Sequence, residues 1–236
     1  SVGLWGAYGT AQGVVYRYHQ GQWATGRELA DIYQPPMLLL DDEKRLHIIY
    51  NIINQPAVYL RGRAPGNVAD FDQISMPRKM QNTYYMGAGI YGHRVVLAYI
   101  STPDYSFYLT VLDLNTEIWT EPVMLQQGQH NVKPHTAWLY PVVIPDEGGI
   151  HLMVSNCPDG GDGNTYNRIL YMYVPYDVQP PIIPEIVAES PMGTITFGET
   201  MWVAQNGAVY VTAQLHRYIY GDEPASEAPS PGLYVL

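Results

Sequence analysis

Three groups of residues in this chain have the types and spacing to do chemistry. The first is His135 with Tyr84 and Tyr85. An imidazole and a phenol near one acidic sugar can share a proton transfer, one group neutralising the carboxylate while the tyrosine moves the proton. These three are the candidate catalytic residues. The second group is Tyr33, Gln34, Asn82, His130, Trp138, Tyr105, Asn156 and Arg217. Aromatic faces cover the apolar side of a pyranose while amide and imidazole groups bond its hydroxyls, so the set suits sugar binding. Polar loops have this composition regardless of function, and that plainer reading stands beside it.

The third group is Asp159, Asp162 and Asn164, oxygen-bearing side chains within Asp159-Gly160-Gly161-Asp162-Gly163-Asn164. Glycines that permit tight wrapping around oxygen ligands fit calcium. The run lacks the full loop spacing and a following bidentate glutamate, so an ordinary Gly/Asp turn explains it as well. No other cofactor is expected. Cys157 precedes this run without a recognisable histidine partner and reads as a buried or idle thiol. His47 and His151 occupy the same place in two repeats, which marks them as structural, because a catalytic residue does not normally recur by repeat.

The elements that must position these residues are strands. Twenty-one tyrosines, 22 glycines and 19 prolines in 236 residues disfavour helices and favour pleated surfaces and turns. Four units overlay as apolar strand, tight turn, apolar strand: Met37 to Tyr50, Tyr85 to Ile100, Trp138 to Ser155 and Met201 to Ala213. Third strands are expected at Ala57 to Arg61, Phe107 to Asp113, Arg168 to Val174 and Gly232 to Leu236. Fourth strands are expected at Phe71 to Met76, Ile118 to Leu125 and Ile183 to Ala188. The amino terminus fits the same frame with strands at Val2 to Tyr8, Val14 to His19 and Gln22 to Leu29. Second strands recur about every fifty residues, the period of four-stranded propeller blades. The expected fold is all-β, a single propeller domain over residues 1–236 with about five blades. The first and last blades are incomplete, so the two ends complete one another or the chain is a segment of a longer propeller.

Composition narrows the partners. A net charge of −10 with only three lysines argues against nucleic acid. One cysteine excludes an internal disulfide framework. No apolar run approaches the ~20 residues of a membrane span.

The run Gln34-Pro35-Pro36-Met37-Leu38-Leu39-Leu40-Asp41, continuing through Leu46-His47-Ile48-Ile49-Tyr50-Asn51 and Pro56-Ala57-Val58-Tyr59-Leu60-Arg61, resembles the BNR-repeat, sialidase-like propellers. It is closest to the branch found in some polysaccharide lyases and uncharacterised secreted proteins. Gly149-Ile150-His151-Leu152-Met153-Val154-Ser155-Asn156 repeats the pattern, with Asn167-Arg168-Ile169-Leu170-Tyr171-Met172-Tyr173 as its third strand. The Asp-box turn survives only in degenerate form around Asn115 and Trp119. The resemblance implies a secreted or periplasmic protein that recognises a glycan and acts as a lyase or glycoside hydrolase. The alternatives are a sugar-binding module without chemistry, and a structural or interaction propeller whose open blades a further protein segment completes.

Overall fold

Short apolar runs punctuated by glycine, proline and asparagine form strands: among the described residues there are eighteen, and no helix. The computed structural model describes residues 11–32, 34–52, 55–77, 80, 83–101, 105–128, 138–156, 168–177, 182–189, 194–217 and 233–235. The chain divides into two compact units, Ser1–Tyr84 and Tyr85–Leu236.

In the first unit β1 (Ala11–His19) and β2 (Gln22–Ile32) form a hairpin. Its Gln20-Gly21 loop has φ values of 50° and 81°, the paired positive angles of a type I′ turn, whose twist matches that of the strands. β3 (Met37–Leu40), β4 (Leu46–Tyr50), β5 (Val58–Gly62) and β6 (Phe71–Ile74) follow as an antiparallel sheet in chain order. One face of the hairpin brings Val15, Leu29 and Ile32 onto Ile48, Tyr50 and Leu60 of this sheet. Contact is closest at Gly26, where a Cβ would stand 2.1 Å from the Val68 carbonyl oxygen.

The second unit repeats the plan. β7 (Thr83–Tyr91), whose first two residues close the first unit, is followed by β8 (Arg94–Ser101) and β9 (Phe107–Asp113). β10 (Ile118–Trp119) and β11 (Val123–Gln126) both pair with β9. The next sheet is β12 (Trp138–Pro145), β13 (Gly149–Asn156), β14 (Arg168–Pro175) and β15 (Glu185–Glu189), again in chain order. β16 (Thr194–Val203), β17 (Val209–Arg217) and β18 (Leu233–Val235) make a three-stranded sheet.

Burial explains the sequence pattern. β13 is buried along its whole length and β8 along all but its end residues, so neither shows the apolar–polar alternation of a half-exposed strand, because both faces are covered. Alternate residues serve different neighbours: Leu152 and Val154 join Val96, Ala98 and Phe107 in one cluster, while Met153 joins Ile169, Met201 and Val211 in another. Each fully buried aliphatic side chain contributes about 1.5–3 kcal/mol.

The four expected strand pairs and their third strands are present, most within a few residues of their expected bounds, while β16 begins at Thr194, well before the expected Met201. One expectation needs correction: Ile118 to Leu125 is not one strand but β10 and β11. Pro122 lies between them, and proline cannot donate to a ladder. The strand expected at Val2 to Tyr8 lies outside the described residues.

Candidate functional site

Each sheet has two ends. At the hairpin end, the first strand turns into the second; at the entry end, the first strand begins and the second finishes. Polar chemistry is present at both, arranged differently.

At the hairpin end of the β3–β6 sheet, Asp41 leaves the first strand, His47 lies on the second and Tyr59 on the third. His47 Nδ1 is 2.6 Å from the Tyr59 hydroxyl, and Nε2 is 3.1 Å from Asp41 Oδ2. A carboxylate only accepts, so Nε2 carries the proton and donates to Asp41, and Nδ1 accepts from Tyr59. Asp41 Oδ1 also accepts from the Arg45 amide at 2.7 Å, and Oδ2 from Arg45 Nε at 2.8 Å. These bonds hold a turn in which Lys44 takes a φ of 63° without being glycine.

The β12–β15 sheet repeats the device with different turn residues. His151 Nδ1 is 2.7 Å from the Tyr171 hydroxyl and Nε2 is 3.0 Å from Asp146 Oδ2. Asp146 Oδ1 accepts from the amides of Gly148 and Gly149 at 2.9 and 2.8 Å. In both sheets an aspartate ties the turn through one oxygen and a histidine through the other, and the histidine ties in the third strand. Val96 and Tyr210 stand at the corresponding positions of two further sheets, as the sequence pattern indicates.

The electrostatics fit locking rather than catalysis. Burial pushes the His47 imidazole below its ordinary range despite the raising effect of Asp41. Burial alone would raise the Asp41 carboxyl, but hydrogen bonds from the Arg45 amide, His47 and the Arg45 side chain bring it below the usual carboxylate range. Burial, followed by Glu185, Tyr173 and Asp146, raises the Tyr171 hydroxyl. That tyrosine stays protonated at neutral pH and donates; it is no nucleophile.

The entry end of the second unit carries a different group. Tyr85 is near the start of β7, Tyr105 lies two residues before β9, Tyr140 is near the start of β12 and Asn156 ends β13. The Tyr85 and Tyr140 rings meet edge to face with centroids 5.0 Å apart. Tyr85 and Tyr105 both pack, half-buried, against the main apolar cluster. Tyr105 and Tyr140 take φ values of 53° and 51°. Bulky residues rarely adopt that conformation, which costs of order 1–3 kcal/mol and persists where the surroundings impose it.

At Tyr140 the cause is local. Pro141 follows it, the ladder to β13 slips between Leu139 and Val142, and Pro141 packs onto Gly87, where a Cβ would stand 2.0 Å from its carbonyl oxygen. At the end of the same sheet Trp138, Asn156, Arg168 and Glu189 are in register across all four strands. Asn156 is buried, and both Arg168 Nε and Nη2 lie 2.7 Å from Glu189 Oε1.

The sequence-predicted residues therefore divide by position. Tyr85, Tyr105 and Asn156 come to the entry end of one unit, with Tyr84, Trp138 and Arg217 placed at the corresponding ends of β7, β12 and β17 by backbone only. Gln34 is buried just before β3, at the entry end of the first unit's sheet. Tyr33, Asn82, His130, His135 and the calcium candidates Asp159, Asp162 and Asn164 lie outside the described residues. Among the described residues no group of three or more histidine, cysteine, aspartate or glutamate side chains is placed to hold a metal. Sequence reasoning passed over Tyr140; the signal for it was Pro141 inside an apolar strand, which marks a bulge. A cavity of about 140 Å³ between β9, β11 and the hairpin end of the β12–β15 sheet, lined mainly by Leu109, Val123, Ile150 and Val174, is smaller than the roughly 300–1,000 Å³ of ligand pockets.

No protein-family model matches the chain, and no curated protein matches it either. Solved structures do. An ulvan lyase of polysaccharide lyase family PL25 superposes with a TM-score of 0.50 at 13% identity, over 76% of this chain and 50% of that one. The same family's lyase bound to a GlcA(1-4)Rha3S repeat gives 0.52 over the same shares at 13% identity. A thermostable family-43 glycoside hydrolase gives 0.50 at 13% identity, over 96% of this chain and 90% of that one. The chain spans half the length of the ulvan lyases it matches. At such identities the likeness is one of fold alone, an all-β arrangement of antiparallel sheets.

Proposed function

We propose that this chain is a secreted propeller, its five sheets serving as blades, that recognises a polysaccharide at the entry end of its second unit. The observation that carries this reading is the group of tyrosines at that end: Tyr140, at positive φ, meets Tyr85 edge to face, and Tyr105, also at positive φ, and Asn156 stand at the same end of their strands. Strain of that kind is retained where a side chain must point in a direction relaxed backbone would not allow. Phenol rings and an amide are the groups a pyranose needs. The fold's likeness to a lyase acting on ulvan and to a family-43 glycoside hydrolase supports the same substrate class.

Within this reading the reaction is cleavage of the chain's glycosidic bonds. On a uronic acid polymer, the phenolate of Tyr85 or Tyr84 takes the proton on the carbon beside the carboxylate, His135 neutralises that carboxylate, and the same tyrosine hands its proton to the glycosidic oxygen as the C–O bond breaks and the double bond forms. The test is product release from neutral, sialylated and uronic polysaccharides, scored by new reducing ends and by unsaturated-sugar absorbance. The expected outcome is release from at least one polymer, reduced at least tenfold by Tyr85→Phe, with binding weakened by Tyr105→Ala and Tyr140→Ala. Absence of both release and binding across the panel would overturn the reading. Binding without release would leave a sugar-binding module.

A further inference from the structure

The β1–β2 hairpin turns one face to the core of its unit and the other to solvent. Tyr16, Tyr18 and Trp23 stand on the solvent face, exposed by 56%, 59% and 71%. Tyr18 and Trp23 are cross-strand partners with ring centroids 5.1 Å apart, and Tyr16 meets the same indole edge to face at 6.5 Å. Alternate residues of a strand are about 7 Å apart, so the two tyrosines extend the aromatic surface along the strand.

Folding does not call for this arrangement. Val15, Leu29 and Ile32 supply the hairpin's packing on the opposite face, and Gln20-Gly21 supplies its turn. One cross-strand aromatic pair helps a hairpin by roughly 0.2–1 kcal/mol, but a third ring and a largely exposed indole exceed that need. A contiguous exposed aromatic patch marks a binding surface.

Charge indicates the occupant. Arg17, between the two tyrosines in sequence, turns away and donates from Nη1 to the Gly66 carbonyl at 2.6 Å. Glu28 stands in register with Val14 on the same strand pair, and the chain carries a net charge of −10. Polyanions are repelled by that field. An uncharged polymer with flat apolar faces and hydroxyl edges is not, and ring stacking suits it. We propose that Tyr16, Tyr18 and Trp23 form a docking platform for a neutral polysaccharide. This inference does not rest on the reading of the tyrosines at the entry end.

The test is retention of the purified chain on microcrystalline cellulose and on insoluble xylan, with polygalacturonate as the anionic comparison and sedimentation velocity to follow self-association. Retention is expected on at least one neutral polymer. Trp23→Ala and Tyr18→Ala should each weaken it about tenfold, the loss of one ring's stacking, while replacing Ile118, an exposed apolar residue of β10, with alanine leaves it unchanged. Trp23 is mostly exposed, so its variant should fold, and circular dichroism checks this. Retention by neither polymer would overturn the proposal, as would variants that bind like the parent. Self-association abolished by Trp23→Ala would also overturn it, assigning the face to a second copy. Loss in Tyr105→Ala alone would move glycan binding to the entry end, overturning the platform and sparing the other reading. Trp23-dependent retention in a chain that releases no product and has no Tyr105-dependent binding would do the reverse.

Discussion

At the scale of single residues, the two histidines that recur by repeat are locks. His47 and His151 each spend both ring nitrogens on partners from the first turn and the third strand. Replacing His47 with phenylalanine strips a partner from Tyr59 and from Asp41, and each loss costs about 1–3 kcal/mol in a buried site. Urea denaturation at neutral pH should register that cost. The network also sets an acid dependence. Folding lowers His47 from its ordinary 6.5 and Asp41 from its ordinary 3.8, so the unfolded chain binds more protons in both windows and stability falls on acidification. The first fall runs downward from pH 6.5 to the lowered value of His47, the second from 3.8 to that of Asp41. Denaturation between pH 7 and 5 should show the first fall in the parent and a shallower one in His47→Phe. Equal slopes would mean that His47 does not carry it.

At the scale of elements, the candidate site depends on how closely β12 approaches β7. Gly87 leaves room for the Pro141 carbonyl, and Pro141 sets the bulge that turns Tyr140. Gly87→Ala should force β12 outward, costing roughly 1–3 kcal/mol as overpacking and lowering the melting temperature by about 2–10 °C for a chain of this size. Glycan binding should fall with it. Gly92 gives the contrasting case: its φ is +55° with open space around it, so Gly92→Ala should lose about 1–2 kcal/mol to backbone strain and keep its ligand. Equal binding losses in the two variants would show that binding merely tracks stability.

At the scale of the whole molecule, charge is the dominant general property. With a net charge of −10, an anionic polysaccharide approaches against repulsion that salt relieves, since the screening length falls to about 10 Å at 0.1 M. Binding of polygalacturonate at the entry end should therefore tighten a few-fold between ~20 and ~200 mM NaCl. Retention on a neutral polymer by the hairpin should stay flat over the same range. Weakening with salt would mean that cations local to the site outweigh the field of the molecule. Affinity electrophoresis reads both.

Sequence by itself marked most of the strands in their order, though not the break of Ile118 to Leu125 into β10 and β11. A side-chain period of two, the loss of that period in twice-covered strands such as β8 and β13, and glycines at Gly21, Gly92 and Gly207 are local constraints, legible wherever the chain is read. It also marked His47 and His151 as a repeated pair, because repetition is a property of sequence. The neighbours of those histidines, and the meeting of Tyr85 with Tyr140 across 55 positions, were not legible. They arise where one sheet lies against another or one strand crosses its neighbour, and such contacts depend on distances no linear pattern encodes. The positive φ of Tyr140 was decided there too: Pro141 announced a bulge, but only its seat on Gly87 turned the bulge into an orientation. The exposure of Trp23 followed the same rule, since alternation put Trp23 and Tyr18 on one face, and packing of the other face against β4 and β5 left that face to solvent.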